Sequence, residues 1–102
     1  MSVDPEALVE MLRERLLVVQ QLSAAQSWNL LNRQLAGGAE FEIQRIEQEI
    51  ATTGGSHALT DAIEEAHERL EEARAGMATC DAQCAALERS LEELDRCIAT
   101  GR

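Results

Sequence analysis

The C-terminal half of the chain carries an unbroken heptad of apolar positions. Leu59, Ile63, Ala66, Leu70, Ala73, Met77, Cys80, Cys84, Leu87, Leu91, Leu94 and Ile98 follow one another at alternating steps of four and three. Steps of that kind place every residue on one side of an α-helix and make the seam of a coiled coil. The positions between them are largely charged: Glu64, Glu65, Glu68, Glu71 and Glu72 before the middle, then Glu88, Arg89, Glu92, Glu93 and Arg96. The pattern predicts one long helix that lies against other helices.

The N-terminal half is also helical in pattern, with a less regular phase. Asp4 is placed to cap a helix whose first position is Pro5, with Glu6 in its first turn. A first apolar face reads Leu8, Leu12, Leu16, Val19 and Leu22. A second phase reads Ala24, Trp28, Leu31 and Leu35, and Ile43, Ile46 and Ile50 follow the paired glycines Gly37 and Gly38. The segment Thr52-Thr53-Gly54-Gly55-Ser56 is the strongest turn signal in the chain. Thr60 or Asp61 is a cap candidate for the last helix, and a start near Ser56 is the alternative. That helix is expected to stop at Thr100, before Gly101.

Gly37-Gly38 leaves two architectures open. As a turn it divides the chain into three helices of poorly matched length. As a weak point inside one helix, at a cost of about 2 kcal/mol relative to alanine, it leaves two arms, 5–52 and 58–100, joined by a turn at 53–57. The second is favoured by a pairing test. In an antiparallel hairpin the numbers of facing residues here sum to about 110, which sets Ile50 against Leu59, Ile46 against Ile63, and Ile43 against Ala66. Farther from the turn it sets Val19 against Leu91, Leu16 against Leu94, and Leu12 against Ile98. Both ends match apolar to apolar. Leu35 and Ile43 are eight residues apart where seven would hold register, and the glycines are expected to absorb that slip. The expected fold is therefore all-α, a single domain over 1–102 built as an antiparallel two-helix coiled-coil hairpin, which dimerises into a helical bundle.

The expectation of dimerisation comes from the middle of the last helix. From Ala75 to Ala86 the outward positions turn small: Ala75, Ala78, Thr79, Ala82, Ala85 and Ala86. A helix that is small and apolar all round is usually covered on more than one side. The same pairing brings Trp28 to the level of Ala82, where a large ring would fill the space beside small neighbours. Trp28, Ala75, Ala78, Ala82, Ala85 and Ala86 are the expected dimer or partner patch.

Composition narrows the function class. Ala, Leu, Glu, Gln and Arg dominate the 102 residues, Trp28 and Phe41 are the only aromatics, and Pro5 is the only proline. Net charge is −10, and all nine basic residues are arginines scattered along the chain. Without a basic cluster, binding to nucleic acid or to anionic lipid is not expected. The early acidic residues Asp4, Glu6, Glu10 and Glu14 do not suit a signal peptide, and the run Leu16-Leu17-Val18-Val19 is too short to span a bilayer. A cytoplasmic location with reduced cysteines is expected.

No residue set points to catalysis, and neither an enzyme activity nor a cofactor is expected. Cys80 and Cys84 share a helix face, but Zn²⁺ takes four ligands, and Cys97 and His67 lie thirteen residues away on either side, about 20 Å along a helix. Their seam positions account for both cysteines as small apolar packing residues, and no metal is expected. Cys97 flanks the seam and has the position for an intermolecular disulfide under oxidation. His57 falls in the turn, and His67 flanks the seam without a nucleophile or acid beside it in sequence.

The expected function is a small acidic interaction module, an adaptor, secretion-type chaperone or anti-activator that packs against a helical partner or itself. An acidic inhibitor imitating nucleic-acid charge, a structural homo-oligomer and a thiol-based sensor are the alternatives. Small acidic helical proteins of bacterial secretion systems are similar in type. The hairpin plan also resembles the Trp-x-Gly family of secreted helical hairpins. The tripeptide here is Trp28-Asn29-Leu30, without the glycine and well before the turn, so the resemblance carries no site residue.

Overall fold

The computed structural model describes residues 4–101. The chain is an all-α helical hairpin. Helix α1 runs Pro5–Thr53 and helix α2 runs His57–Thr100, with no strand among the described residues.

Local chemistry sets the ends. The Asp4 carboxylate accepts the amide of Glu6 at 3.3 Å, and its carbonyl accepts the amide of Leu8 at 3.0 Å. These contacts satisfy N–H groups that the first turn leaves without helical partners. At the other end Gly54 donates to the carbonyl of Ile50 at 2.8 Å. Gly54 and Gly55 both have φ of 84°, a conformation that glycine adopts without the Cβ penalty, so α1 stops there and the chain reverses. Ser56 caps α2: its hydroxyl accepts the amide of Leu59 at 3.2 Å and its carbonyl that of Thr60 at 3.0 Å. Ser56, not Thr60 or Asp61, is the cap, because the two glycines finish the reversal just before it. Gly101, at φ 73°, closes α2 by donating to the carbonyl of Cys97 at 2.9 Å.

Two compact units divide the chain. The unit Trp28–Thr79 contains the turn. Its core is Ala36, Ala39 and Ile43 from α1 with Ala66, Leu70 and Ala73 from α2, flanked by Ile63 and Met77. Ile46 is 1% exposed and Ala66 is fully buried. Alanines on both helices let the backbones approach closely, and the branched residues fill the layers between them. Arg69 bonds Glu42 at 2.6 Å and Arg74 reaches Glu40 at 3.4 Å, both pairings of antiparallel neighbours.

The other unit joins Met1–Ser27 to Cys80–Arg102. Among its described residues Val18, Ala25 and Cys80 are buried. Leu8, Met11, Leu22, Cys84, Leu87, Leu91, Leu94 and Ile98 are half-buried. Arg15 also sits in this seam and bonds Asp95 at 2.6 Å.

The structure changes the phase of α1. The positions of α1 that face α2 are Leu8, Met11, Arg15, Val18, Leu22 and Ala25 in one unit, and Asn29, Asn32, Ala36, Ala39, Ile43, Ile46 and Ile50 in the other. Their steps alternate between three and four throughout. There is no slip, and Gly37-Gly38 neither breaks the helix nor repairs its register. The residues expected to face α2, Leu12, Leu16, Val19, Trp28, Leu31 and Leu35, are exposed instead. At these positions the large apolar side chains stand beside the seam, while Met11, Arg15, Val18, Asn29, Asn32 and Ala36 occupy it.

Candidate interaction surface

All twelve heptad residues of α2 face its seam. Ala66, Leu70, Ala73 and Cys80 are buried, and Leu59, Ile63, Met77, Cys84, Leu87, Leu91, Leu94 and Ile98 are half-buried. The alanine window lies on the opposite side of the same helix: Ala75, Ala78, Ala82, Ala85 and Ala86 are all exposed. Trp28 does not fill a space in the seam. Asn29 holds the seam position there, and Trp28 stands beside it, 59% exposed.

The large apolar surface is on α1. Val9, Leu12, Leu16, Leu17, Val19, Trp28, Leu30, Leu31, Leu35 and Phe41 are exposed, and among the described residues no large aliphatic or aromatic side chain of α2 is exposed in this way. Scattered exposed apolar residues are ordinary; these are ordered. In the unit Met1–Ser27 with Cys80–Arg102, Val9, Leu12, Leu16 and Val19 follow at steps of three, four and three along one flank of the seam. In the unit Trp28–Thr79, Trp28, Leu31, Leu35 and Gly38 repeat the same steps along the other flank. Each is a helix-packing stripe without a covering helix. The adjacent pairs Leu16-Leu17 and Leu30-Leu31 were the signal in sequence, since one stripe cannot bury neighbouring residues.

A shallow groove opens beside the second stripe. Leu35, Gly38, Ala39 and Ala73 contribute apolar lining, with Asn32, Gln34, Glu42, Arg69 and Glu72 around them. The two glycines have uncovered backbones: a Cβ built at Gly37 or Gly38 meets nothing within 4 Å. Gly76 differs. A Cβ there would lie 2.7 Å from Nδ2 of Asn32, with Cγ and Oδ1 at 2.8 Å, so the Asn32 amide rests on the bare backbone of α2.

Charge is uneven as well. Between Leu16 and Ala39 the one charged side chain is Arg33. Most carboxylates are on α2, where Glu64, Glu65, Glu68, Glu71 and Glu72 and then Glu88, Glu92, Glu93 and Asp95 are exposed.

Cys80, Cys84 and Cys97 form no disulfide with one another. Desolvation by burial, with Glu88, Cys80 and Asp81 nearby, holds the Cys84 thiol above its ordinary value of 9.0, which keeps it protonated at neutral pH. No group of three or more His, Cys, Asp and Glu among the described residues is placed to hold a metal ion. His67 lines a shallow groove with Glu40, Glu47 and Arg74, and His57 is exposed 3.7 Å from Asp61. No described helix is long and apolar enough to cross a membrane.

Comparison with known protein families, curated proteins and solved structures returns no match to this chain.

Proposed function

We propose that this protein is a non-enzymatic interaction module that works by docking helices against the exposed apolar flanks of α1. One observation carries the proposal: the large exposed apolar side chains lie on α1, and most fall into two stripes at helix-packing spacing. The division of labour within the hairpin fits too. The seam holds Arg15, Asn29 and Asn32 while larger apolar residues stand outside it. Polar seam residues specify alignment at a cost in stability, and the apolar residues outside serve a further contact.

The chemistry of adaptors, secretion-type chaperones and anti-activators is of this kind, a helical surface offered to a client. The acidic-inhibitor reading has the carboxylates of α2 in its favour, but Arg69, Arg74, Arg89 and Arg96 interrupt that surface. A mimic of a phosphate backbone gains from uninterrupted negative charge.

The test is a set of variants assayed for self-association by light scattering and for capture of partners from the source cell. Leu12→Glu with Leu16→Glu charges one stripe, Leu31→Glu with Leu35→Glu charges the other, and Ala82→Glu charges the alanine window of α2. Loss of association or capture through either α1 variant, with helical content unchanged, supports the proposal. Association and capture indifferent to both would refute it, and loss through Ala82→Glu alone would move the surface to α2.

A further inference from the structure

We infer that the flank of α1 bearing Trp28, Leu31, Leu35 and Gly38 pairs antiparallel with the same flank of a second copy of this chain, about a two-fold axis at the level of Arg33. The inference rests on the helix-docking proposal above and names the occupant of one of its stripes.

The stripe is complementary to itself in reverse. Turned about Arg33, Trp28 meets Gly38 of the partner subunit and Leu31 meets Leu35 of the partner subunit, each contact occurring twice. A two-fold interface requires this self-matching. The largest side chain then faces the smallest residue, and leucine faces leucine.

Neither backbone conformation nor crowding within its own chain requires glycine at position 38. Its φ is not positive and a Cβ would meet nothing within 4 Å, yet glycine inside a helix is disfavoured relative to alanine. What glycine offers at such a place is close approach of another group to the backbone. The groove at Gly38, walled by Leu35, Ala39 and Ala73, is where the indole would seat. A buried indole N–H seeks an acceptor, and Gln34 and Glu72 on the same groove carry acceptor oxygens.

Electrostatics select the occupant. Each chain carries a net charge of −10, so two copies repel wherever carboxylates meet. Between Leu16 and Ala39 there are none, and Arg33 lies on the opposite side of α1 from the stripe. At the edge of the contact the groove carries Glu42, bonded to Arg69 at 2.6 Å, and Glu72; the centre of the contact, Trp28, Leu31 and Leu35, is uncharged and suits another apolar surface. Together these three expose roughly 300 Å² of apolar surface per chain, enough for the apolar centre of an interface of standard size.

Trp28 is the sole tryptophan, so its emission reports the contact directly. The full chain is measured by sedimentation and by fluorescence over concentrations from about 1 µM to about 200 µM. The expected result is a dimer whose emission moves to the red on dilution. Gly38→Leu fills the groove, and with open space around its Cβ it leaves the helical signal intact; Trp28→Ala removes the ring. Each is expected to weaken the dimer on the order of 100-fold, and Trp28→Ala combined with Gly38→Trp is expected to restore it by exchanging the large and small partners. A monomer with invariant emission over the whole range overturns the inference. So does a dimer indifferent to Gly38→Leu. If that dimer is lost through Leu12→Glu with Leu16→Glu, helix docking stands and only this pairing falls. Capture of a foreign helix that depends on Trp28, by a chain that is itself monomeric, likewise refutes the second copy and retains docking.

Discussion

Three glycines lie within the two helices, and the structure assigns them opposite responses to the same substitution. Replacing a mid-helix glycine with alanine gains about 1 kcal/mol from backbone propensity alone. At Gly37 nothing lies within 4 Å of the new methyl group, so the full gain should appear. For a chain of this size it corresponds to a rise in melting temperature of about 4–8 °C. At Gly76 the methyl group would lie 2.7–2.8 Å from all three heavy atoms of the Asn32 amide. Overpacking of that kind costs about 1–3 kcal/mol, and the group that must give way is the amide of Asn32, a half-buried seam residue. Gly76→Ala should therefore be neutral or destabilising by up to about 2 kcal/mol once the propensity gain is deducted. Circular dichroism under urea and heat, at one fixed protein concentration, measures both variants. Gly37 is the proper reference because it lies off the stripe assigned to the second copy. Asn32→Ala supplies the control: in that background the obstruction is gone, and Gly76→Ala should again gain about 1 kcal/mol. If Gly76→Ala stabilises the native chain as much as Gly37→Ala does, the close approach of Asn32 to α2 is refuted.

Three further outcomes follow from the packing and the charges. Ile46→Ala, at a position 1% exposed, should cost about 2–5 kcal/mol, whereas Phe41→Ser, at a position 71% exposed, should change the stability of the monomeric hairpin by no more than about 0.5 kcal/mol; urea titration at low protein concentration distinguishes them. A double-mutant cycle on Arg15 and Asp95, half-exposed partners at 2.6 Å, should give a coupling of about 0.2–1 kcal/mol that fades toward zero at about 1 M salt. The folded Cys84 thiol is held above its ordinary 9.0, so the folded state binds this proton more tightly than the unfolded state. The resulting stability is complete below about pH 9 and is lost as pH rises from the unfolded value through the higher folded one; alkylation at Cys84 should accordingly show its midpoint above 9, and a midpoint below that value would contradict the environment described.

Much of the architecture is legible in the residues. The α2 heptad specified a helix and its buried side because its large apolar residues coincide with its seam. The caps at Asp4 and the stop at Gly101 are local chemistry, readable from a few neighbouring residues. The pairing sum was legible as well: Arg15 with Asp95 and Arg69 with Glu42 lie at the expected levels. The apolar periodicity of α1 falls one residue after the seam in the distal arm, with Leu12, Leu16 and Val19 beside Met11, Arg15 and Val18, and one residue before it nearer the middle, with Trp28, Leu31 and Leu35 beside Asn29, Asn32 and Ala36.

That one-residue offset determines the candidate site. On a helix a shift of one position turns the face by about 100°, so residues assigned to the interior became the exposed stripes. Periodicity weighted by hydrophobicity selects the most apolar stripe. In α1 that criterion fails because apolar residues occupy several faces, and the seam accepts alanine, asparagine and arginine where α2 approaches closely. By itself the sequence determined an all-helical chain, the turn at Gly54-Gly55 and the buried side of α2, and it favoured two antiparallel arms over three helices. Only the tertiary structure decided which face of α1 meets α2, because that depends on the fit of two surfaces: Ala36 and Ala39 against Ala66 and Ala73, and Asn32 against the bare backbone at Gly76. The large side chains that this fit leaves outside, Trp28 and Leu35 among them, are the ones to which a function can be proposed.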